Sequence, residues 1–279
     1  MINYELLKAA GIDLSPRSHL AEGIELFWIP GGTRAIKTWQ SLASQSKALG
    51  GWPLILGDPE NLKSLKNSLS RSSPEERKAT LDRIPTSPPL RALKEVARSK
   101  AIKVLENVRT KKLDLPQILK EHFEQQATQA IQVDPPPACT ESFAQWTSTA
   151  SATRWHPAVP FDSERKPLTE CLIAIILDTA PADVAAILNF GGWNDCPDSI
   201  LHVAFARDWN LRYGAVPVCM THDIIELHVP RPPSAAPDAF TVAWEQSVYC
   251  PDLIYQGTNT VERLAQEIWG SPFWYFWWD

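Results

Sequence analysis

The sequence predicts an α+β protein whose C-terminal domain contains a mixed or antiparallel sheet flanked by helices. A smaller α/β segment and a helical basic region are predicted to precede this domain. Two observations lead to this class. Short apolar runs with the β-branched and aromatic content of strands alternate with segments whose apolar residues recur at helical spacing. In addition, residues 273–278 are six consecutive aromatic residues, too costly to leave in water. We therefore expect them to form a docked terminal strand with rings on both faces.

The chain is long enough for more than one folding unit, with 279 residues of which 44% are hydrophobic. We expect an N-terminal α/β segment with basic helices at 1–132, a proline-rich connector at 133–167 and a C-terminal α+β domain at 168–279. No apolar run approaches the roughly 18 residues of a membrane span, and no secretory h-region is present. The five cysteines form no C-x-x-C pair, so we expect reduced thiols and a cytoplasmic protein.

The N-terminal segment alternates helix and strand signals before it becomes helical and basic. The predicted elements are a helix at 2–10, a strand at 23–29, a helix at 34–49, a strand at 52–56, and helices at 60–69, from Ser73, at 90–109 and at 115–131. Gly31 and Gly32 precede the second helix, but the chain contains neither a P-loop nor a dinucleotide-binding glycine motif. We therefore interpret these glycines as a turn.

The connector and the C-terminal part have clearer boundaries. Trp146, Trp155 and Phe161 predict that the connector packs against the protein. Beyond it we predict a buried strand at 170–177, a helix at 181–188, a helix capped by Ser199 and ended by Gly214, a hairpin of 215–220 with 224–229, helices at 237–249 and 260–269, and the aromatic strand.

Charge divides the chain into unlike parts. Residues 60–125 carry 15 Lys or Arg against 9 Asp or Glu, whereas residues 126–279 carry 7 against 18. Such a division is typical either of an interaction surface of one sign or of a basic helical face that complements the acidic half. Both interpretations stay open at this stage.

Several strings in the C-terminal part occur together in a known family. They are Gly191-Gly192-Trp193-Asn194-Asp195-Cys196-Pro197, Arg212-Tyr213-Gly214, Arg231-Pro232-Pro233, Tyr249-Cys250-Pro251-Asp252 and the aromatic ending. Over roughly residues 168–279 the chain resembles a bacterial domain family of unknown function, the one numbered 4253. The resemblance implies a domain and no reaction. By analogy, small families of this kind occur among toxin and immunity proteins.

One candidate active site combines Cys196, His202 and Asp223. Cys196 precedes a predicted helix N-terminus, which favours a thiolate, and His202 or His222 would serve as the base. No local signature of a cysteine hydrolase surrounds these residues, and buried cysteines are common in protein cores. The structural interpretation therefore comes first and the enzyme stays as the alternative.

Other chemistry has less support. No H-x-x-x-H or H-x-H pair is present, so we expect no metal, and no motif predicts a cofactor. Arginines such as Arg231 are natural partners for buried carboxylates, and we assign structural roles to Arg231, Trp274, Trp277 and Trp278. Nucleic-acid binding through residues 90–112 is a third interpretation, which the lack of aromatic residues there disfavours.

The interpretation that we favour is a non-enzymatic, immunity-type inhibitor of a bacterial toxin, for example a basic nuclease. The acidic C-terminal half is complementary to such a partner. The predicted partner-binding residues are Asp195, Asp198, Asp208, Asp223, Glu226 and Asp252. The sequence predicts neither the identity of the partner nor the oligomeric state.

Overall fold

The computed structural model describes residues 1–15, 18–111, 115–128, 139, 141–148 and 157–279. Trp155, Lys112 and 15 of the 35 residues of the predicted connector lie outside these residues. The strands are β1 (Ser18–Ala21), β2 (Ile24–Ile29), β3 (Gly51–Gly57), β4 (Cys171–Leu177), β5 (Val216–Met220), β6 (Ile224–His228) and β7 (Phe273–Trp277). The helices are α1 (Tyr4–Ala9), α2 (Thr33–Ala43), α3 (Ser46–Leu49), α4 (Asn61–Leu69), α5 (Pro74–Thr80), α6 (Pro89–Lys111), α7 (Gln117–Thr128), α8 (Val184–Ile187), α9 (Ser199–Tyr213), α10 (Ala236–Tyr249) and α11 (Val261–Ile268).

All seven strands form one mixed sheet in the order β1-β2-β4-β3-β5-β6-β7. The pairing of β3 with β5 is parallel and every other pairing is antiparallel. The predicted mixed sheet with flanking helices is therefore confirmed. β4 follows the connector in sequence but lies between β2 and β3, so the boundary that we expected at residue 168 does not separate two sheets.

The two central strands are buried on both faces. Every residue of β3 is buried, as are the first six residues of β4. Such continuous apolar strands are stable only where helices cover both sides of a sheet. On one face, Trp39 of α2 donates from its indole nitrogen to the Pro53 carbonyl at 3.0 Å and packs against His228. On the opposite face, Trp209 of α9 stacks on Phe276 with ring centroids 5.3 Å apart.

The aromatic ending is docked as predicted. In β7 the side chains of Trp274 and Phe276 are buried and those of Phe273, Tyr275 and Trp277 are half-buried, which is the alternation of a strand. Trp278, the next residue, is also buried. The rings of Trp209, Tyr249 and Trp278 surround Phe276. This aromatic packing joins the last strand to α9 and α10.

The cap of α9 differs from the prediction by one residue. Asp198, rather than Ser199, is the N-cap, since its Oδ1 accepts a hydrogen bond from the Leu201 amide at 3.1 Å. The predicted end is confirmed, because Gly214 has φ 71°, a conformation that glycine adopts without steric penalty. Thr260 caps α11 as predicted, by accepting from the Arg263 amide.

The N-terminal part contains two further differences. The helix predicted at 34–49 is interrupted where Gln45 leaves the helical region with φ −121°, which separates α2 from α3. The short edge strand β1 was not predicted, because its four residues are largely exposed and carry no apolar alternation. Within the described ranges, no helix has the length and apolar character needed to cross a membrane.

Candidate functional site

A cleft of about 1010 Å³ opens where β3 and β5 end. These two strands are parallel, so their carboxyl ends meet at one edge of the sheet, which is where open α/β sheets commonly bind ligands. The lining residues come from four separate stretches of chain. They are Asp58, Glu60, Asn61, Pro157, Ala158, Val159, Phe161, Asp162, Ser163, Arg165, Leu168, Thr221, Asp223, Ile224, Glu226, Phe273, Trp274 and Tyr275.

The cleft is acidic. Among the residues that the structure describes, the lining contains five carboxylates and one cationic side chain, Arg165. We call this site the acidic cleft. Because like charges that face one cavity repel each other, such a lining favours a positively charged occupant.

Asp58 and Glu60 are positioned by the chain that leaves β3. Gly57 ends the strand with φ 73°, and a side chain at this position would approach Val159 to 2.6 Å. The turn that follows is closed by Asp58, whose Oδ1 accepts from the Glu60 amide at 2.8 Å. Asn61 then opens α4 and donates to the Leu56 carbonyl. Both carboxylates are therefore exposed at the rim of the cleft.

Asp223 lies in the turn of the β5–β6 hairpin. The Thr221 hydroxyl donates to its Oδ1 at 2.7 Å, and His222 Nδ1 lies 3.3 Å from the same oxygen. The backbone carbonyl of Asp223 accepts from the Trp278 amide. The hairpin turn and the end of β7 thus hold Asp223 in place, with its side chain half-buried beside the cleft.

Glu226 is the buried acid of the cleft, with 3% of its surface exposed. Its carboxylate accepts hydrogen bonds from the Ala158 amide at 2.5 Å and the Val159 amide at 3.2 Å. Burial raises the pKa of Glu226, and hydrogen bonds from these amides and from Cys219 oppose the rise. Glu226 therefore ties the chain at 158–159 to the sheet.

Residues 157–168, which we call the strap, form one wall of the cleft. The strap is anchored at its other side by Gly31 and Gly32, whose amides donate to the carbonyls of Leu168 and Pro160. A side chain at Gly31 would approach the Leu168 carbonyl to 2.3 Å, so glycine is required for this contact. The two glycines therefore form a packed turn, as the sequence predicts.

The tip of the strap presents a carboxylate and a cation. Asp162 Oδ1 accepts from the amides of Glu164 and Lys166, at 2.9 and 2.8 Å. Arg165 adopts a left-handed conformation with φ 62°, which is uncommon for a residue with a side chain. The turn that Asp162 closes places both residues on the cleft lining.

The acidic cleft contains two of the six predicted partner-binding residues, Asp223 and Glu226. The other four lie outside it. Asp195 is exposed, Asp198 caps α9, Asp208 forms an ion pair with Arg212, and Asp252 accepts from the Asp279 amide. The sequence analysis did not identify Asp58, Glu60 and Asp162 as site residues. The sequence feature that could have pointed to this site is the position of Asp58 directly after an apolar strand.

Cys196 and His202 are brought together, as the enzyme interpretation requires. The Cys196 sulfur lies 3.4 Å from His202 Nε2, and His202 Nδ1 lies 2.5 Å from the Tyr249 hydroxyl. Asp223 does not occupy the position of a third catalytic group, because it bonds to Thr221 in the acidic cleft. A tyrosine thus orients His202.

The surroundings of this Cys–His–Tyr cluster are closed and apolar. The three side chains are buried, and the rings of Phe190 and Trp278 pack against the imidazole. The cavity beside His202 measures about 20 Å³, enough for one water molecule. Burial lowers the pKa of His202 to about 3 and raises that of the Cys196 thiol. A neutral thiol beside a neutral imidazole is the expected state of a packed core.

The remaining predicted residues have structural surroundings. Arg231 is exposed and donates to the Leu211 carbonyl at 3.3 Å. Trp146 is buried against Phe240, so the connector packs on the protein at this point. On α6, Lys94 lies over the Trp244 ring. Among the residues that the structure describes, no group of three or more His, Cys, Asp or Glu side chains is arranged to hold a metal ion.

Comparison with known protein families gives a match for the C-terminal part. Residues 172–279 match the model of a family described as a domain of unknown function (DUF4253), which confirms the resemblance of the C-terminal part. No similar curated protein and no similar solved structure was found. The matched region contains β4 to β7, whereas Asp58, Glu60 and the strap lie outside it. The acidic cleft is therefore built jointly by the matched region and the chain that precedes it.

Proposed function

We propose that this protein is a non-enzymatic binding protein, an immunity-type inhibitor that neutralises a bacterial toxin by receiving a basic part of it in the acidic cleft. The observation that supports the proposal is the lining of the cleft, in which the described residues include five carboxylates and one arginine. A cationic side chain of a partner would replace their mutual repulsion by attraction.

The charge of the whole C-terminal part supports the same partner. Residues 126–279 carry 18 acidic against 7 basic residues. An acidic surface speeds the encounter with a cationic protein, and it orients the partner before contact. A nuclease fits this description, since its own substrate is a polyanion that binds a basic surface. The cleft carboxylates would then occupy the position of phosphates.

The proposal places the protein in the cytoplasm, where a cell needs protection from its own toxin. All five cysteines are free thiols, which is the usual state in a reducing compartment. The toxin is the expected partner, and nucleic acid is not.

The alternative is a hydrolase or transferase that uses Cys196. One observation favours it, the 3.4 Å contact of Cys196 with His202. The closed surroundings disfavour it, because a substrate carbonyl needs access to the sulfur, whereas Cys196 is buried and does not line the 20 Å³ cavity beside His202. The pKa shifts disfavour it as well, because a raised thiol pKa lowers the population of the nucleophilic thiolate.

Thiol reactivity separates the two functions. We expect the native protein to show one thiol, the partly exposed Cys139, that reacts readily with Ellman's reagent, and four thiols that react only on unfolding. The Cys139→Ser variant should remove the fast phase. A fast phase that instead disappears in Cys196→Ser would support the enzyme.

Growth protection tests the inhibitor directly. The product of the neighbouring gene is expressed alone and together with this protein. We expect the toxic product to arrest growth alone and the pair to grow, with protection lost in the Glu60→Gln/Asp223→Asn double variant. The control double variant, Asp82→Asn/Glu106→Gln, changes the net charge equally at exposed positions outside the cleft and should protect fully. Equal protection by both variants would contradict a role for the cleft.

A further inference from the structure

The outer edge of β7 pairs with no other strand among the residues that the structure describes. Within these residues, β7 is the last strand of the sheet and pairs with β6 alone. Its five residues are all aromatic and contain none of the features that usually block an exposed edge, such as lysine, proline or a bulge. The opposite edge, β1, is only four residues long and is interrupted by an irregularity between His19 and Ala21.

The register identifies which backbone groups of β7 point outward. The Trp278 amide donates to the Asp223 carbonyl and the Val229 amide donates to the Pro272 carbonyl, so residues 272 and 278 bond towards β6. Backbone groups alternate in direction along an antiparallel strand. The amides and carbonyls of Phe273, Tyr275 and Trp277 therefore point away from the sheet.

Side chains cover the two ends of this edge and leave its middle open. The Ser271 hydroxyl bonds to both backbone groups of Phe273, and the Cys250 thiol donates to the Trp277 carbonyl. Within the described part of the chain, the outward amide and carbonyl of Tyr275 and the outward amide of Trp277 have no hydrogen-bond partner. Three consecutive outward groups can thus accept an added strand.

The open edge adjoins the acidic cleft. Tyr275 is opposite Glu226 in the register, so the two side chains share a face, and both line the cleft. A residue of an added strand opposite Tyr275 would share that face as well. Its side chain would point to the cleft carboxylates, and a basic residue complements their charge.

We propose that the partner binds by strand addition: an extended segment with a basic residue opposite Tyr275 pairs with the edge of β7 as an eighth strand. The binding mode rests on the proposed function, in which the cleft receives a basic part of a protein. Backbone hydrogen bonds to Tyr275 and Trp277 supply affinity, and the cleft selects the basic side chain.

Amide hydrogen exchange of the complete chain tests the edge. The probe is a synthetic peptide of alternating arginine and valine with blocked ends, and the same peptide with glutamate in place of arginine is the control. We expect the Tyr275 and Trp277 amides to exchange rapidly in the free protein and at least tenfold more slowly with the arginine peptide. Protection of these amides in the free protein, or peptide binding that leaves them unprotected, would overturn the proposal.

Variants distinguish failure of the binding mode from failure of the proposed function. Tyr275→Pro removes the outward amide, a change that edge strands tolerate, and should weaken peptide binding at least tenfold. Ser18→Pro, at the first position of the opposite edge strand, is the matched control and should bind normally. If Glu60→Gln/Asp223→Asn weakens binding and Tyr275→Pro does not, the cleft binds its partner without strand addition. If neither variant weakens binding, both proposals are wrong.

Discussion

His202 shows how the surroundings of a residue determine the protonation state of its side chain. Its imidazole bonds to Tyr249 on one side and contacts Cys196 on the other, with aromatic rings packed around it. The sequence spacing indicated the pair with Cys196, because six residues can bring a loop and the first turn of a helix together. It did not reveal Tyr249, which lies 47 positions further on.

The lowered pKa of His202 predicts acid sensitivity. Between about pH 6.5 and pH 3, the unfolded chain binds a proton at His202 that the folded protein does not bind, so the free energy of unfolding falls as the pH falls. The slope is at most about 1.4 kcal/mol per pH unit. Urea unfolding of the wild type and of His202→Gln at several pH values measures it. We expect the difference between them to shrink towards low pH, and a constant difference would contradict a neutral buried imidazole.

Glu226 predicts the opposite pH dependence. Burial raises its pKa above the unfolded value, so the stability that it contributes is fully present at low pH and decreases as the pH rises through the folded pKa. The stability of the wild type relative to Glu226→Gln should therefore decrease from pH 4.5 to pH 8. An increase over this range would show that the hydrogen bonds from Ala158 and Val159 outweigh burial.

At the scale of elements, the aromatic ending shows what the sequence determines. Six adjacent aromatic residues predict a docked strand, because exposing their side chains to water would cost free energy. The partners of these rings, on α9 and α10, do not follow from the pattern, since ring stacking depends on how helices pack across a sheet. The π-helix at Leu253–Thr258 was likewise missed, because no periodicity in the sequence marks it.

The alternation of β7 predicts unequal effects of substitution. Phe276 is completely buried and stacks on Trp209, so Phe276→Ala should lower the free energy of unfolding by about 3–5 kcal/mol. Trp277 is half-buried, and Trp277→Ala should cost about 1 kcal/mol. Chemical denaturation of both variants gives the comparison. A larger loss for Trp277→Ala would mean that the register of β7 is wrong.

At the scale of the whole molecule, the acidic cleft depends on long-range pairing. Its carboxylates come from residues 58–60, 162 and 223–226, which are joined by the parallel contact of β3 with β5 and by the strap. The excess of acidic residues beyond position 126 indicated the sign of the surface. The sequence did not indicate which carboxylates share a face, because this depends on the order of the strands in the sheet.

The central claim, that the acidic cleft binds a basic partner, is tested most directly by calorimetry with the product of the neighbouring gene at low and high salt. We expect a 1:1 complex that salt weakens and that Glu60→Gln/Asp223→Asn weakens roughly 10–100-fold, about 1.4–2.7 kcal/mol, with Asp82→Asn/Glu106→Gln binding like the wild type. A complex of unchanged affinity in the cleft variant at low salt, where charges are least screened, would contradict the account.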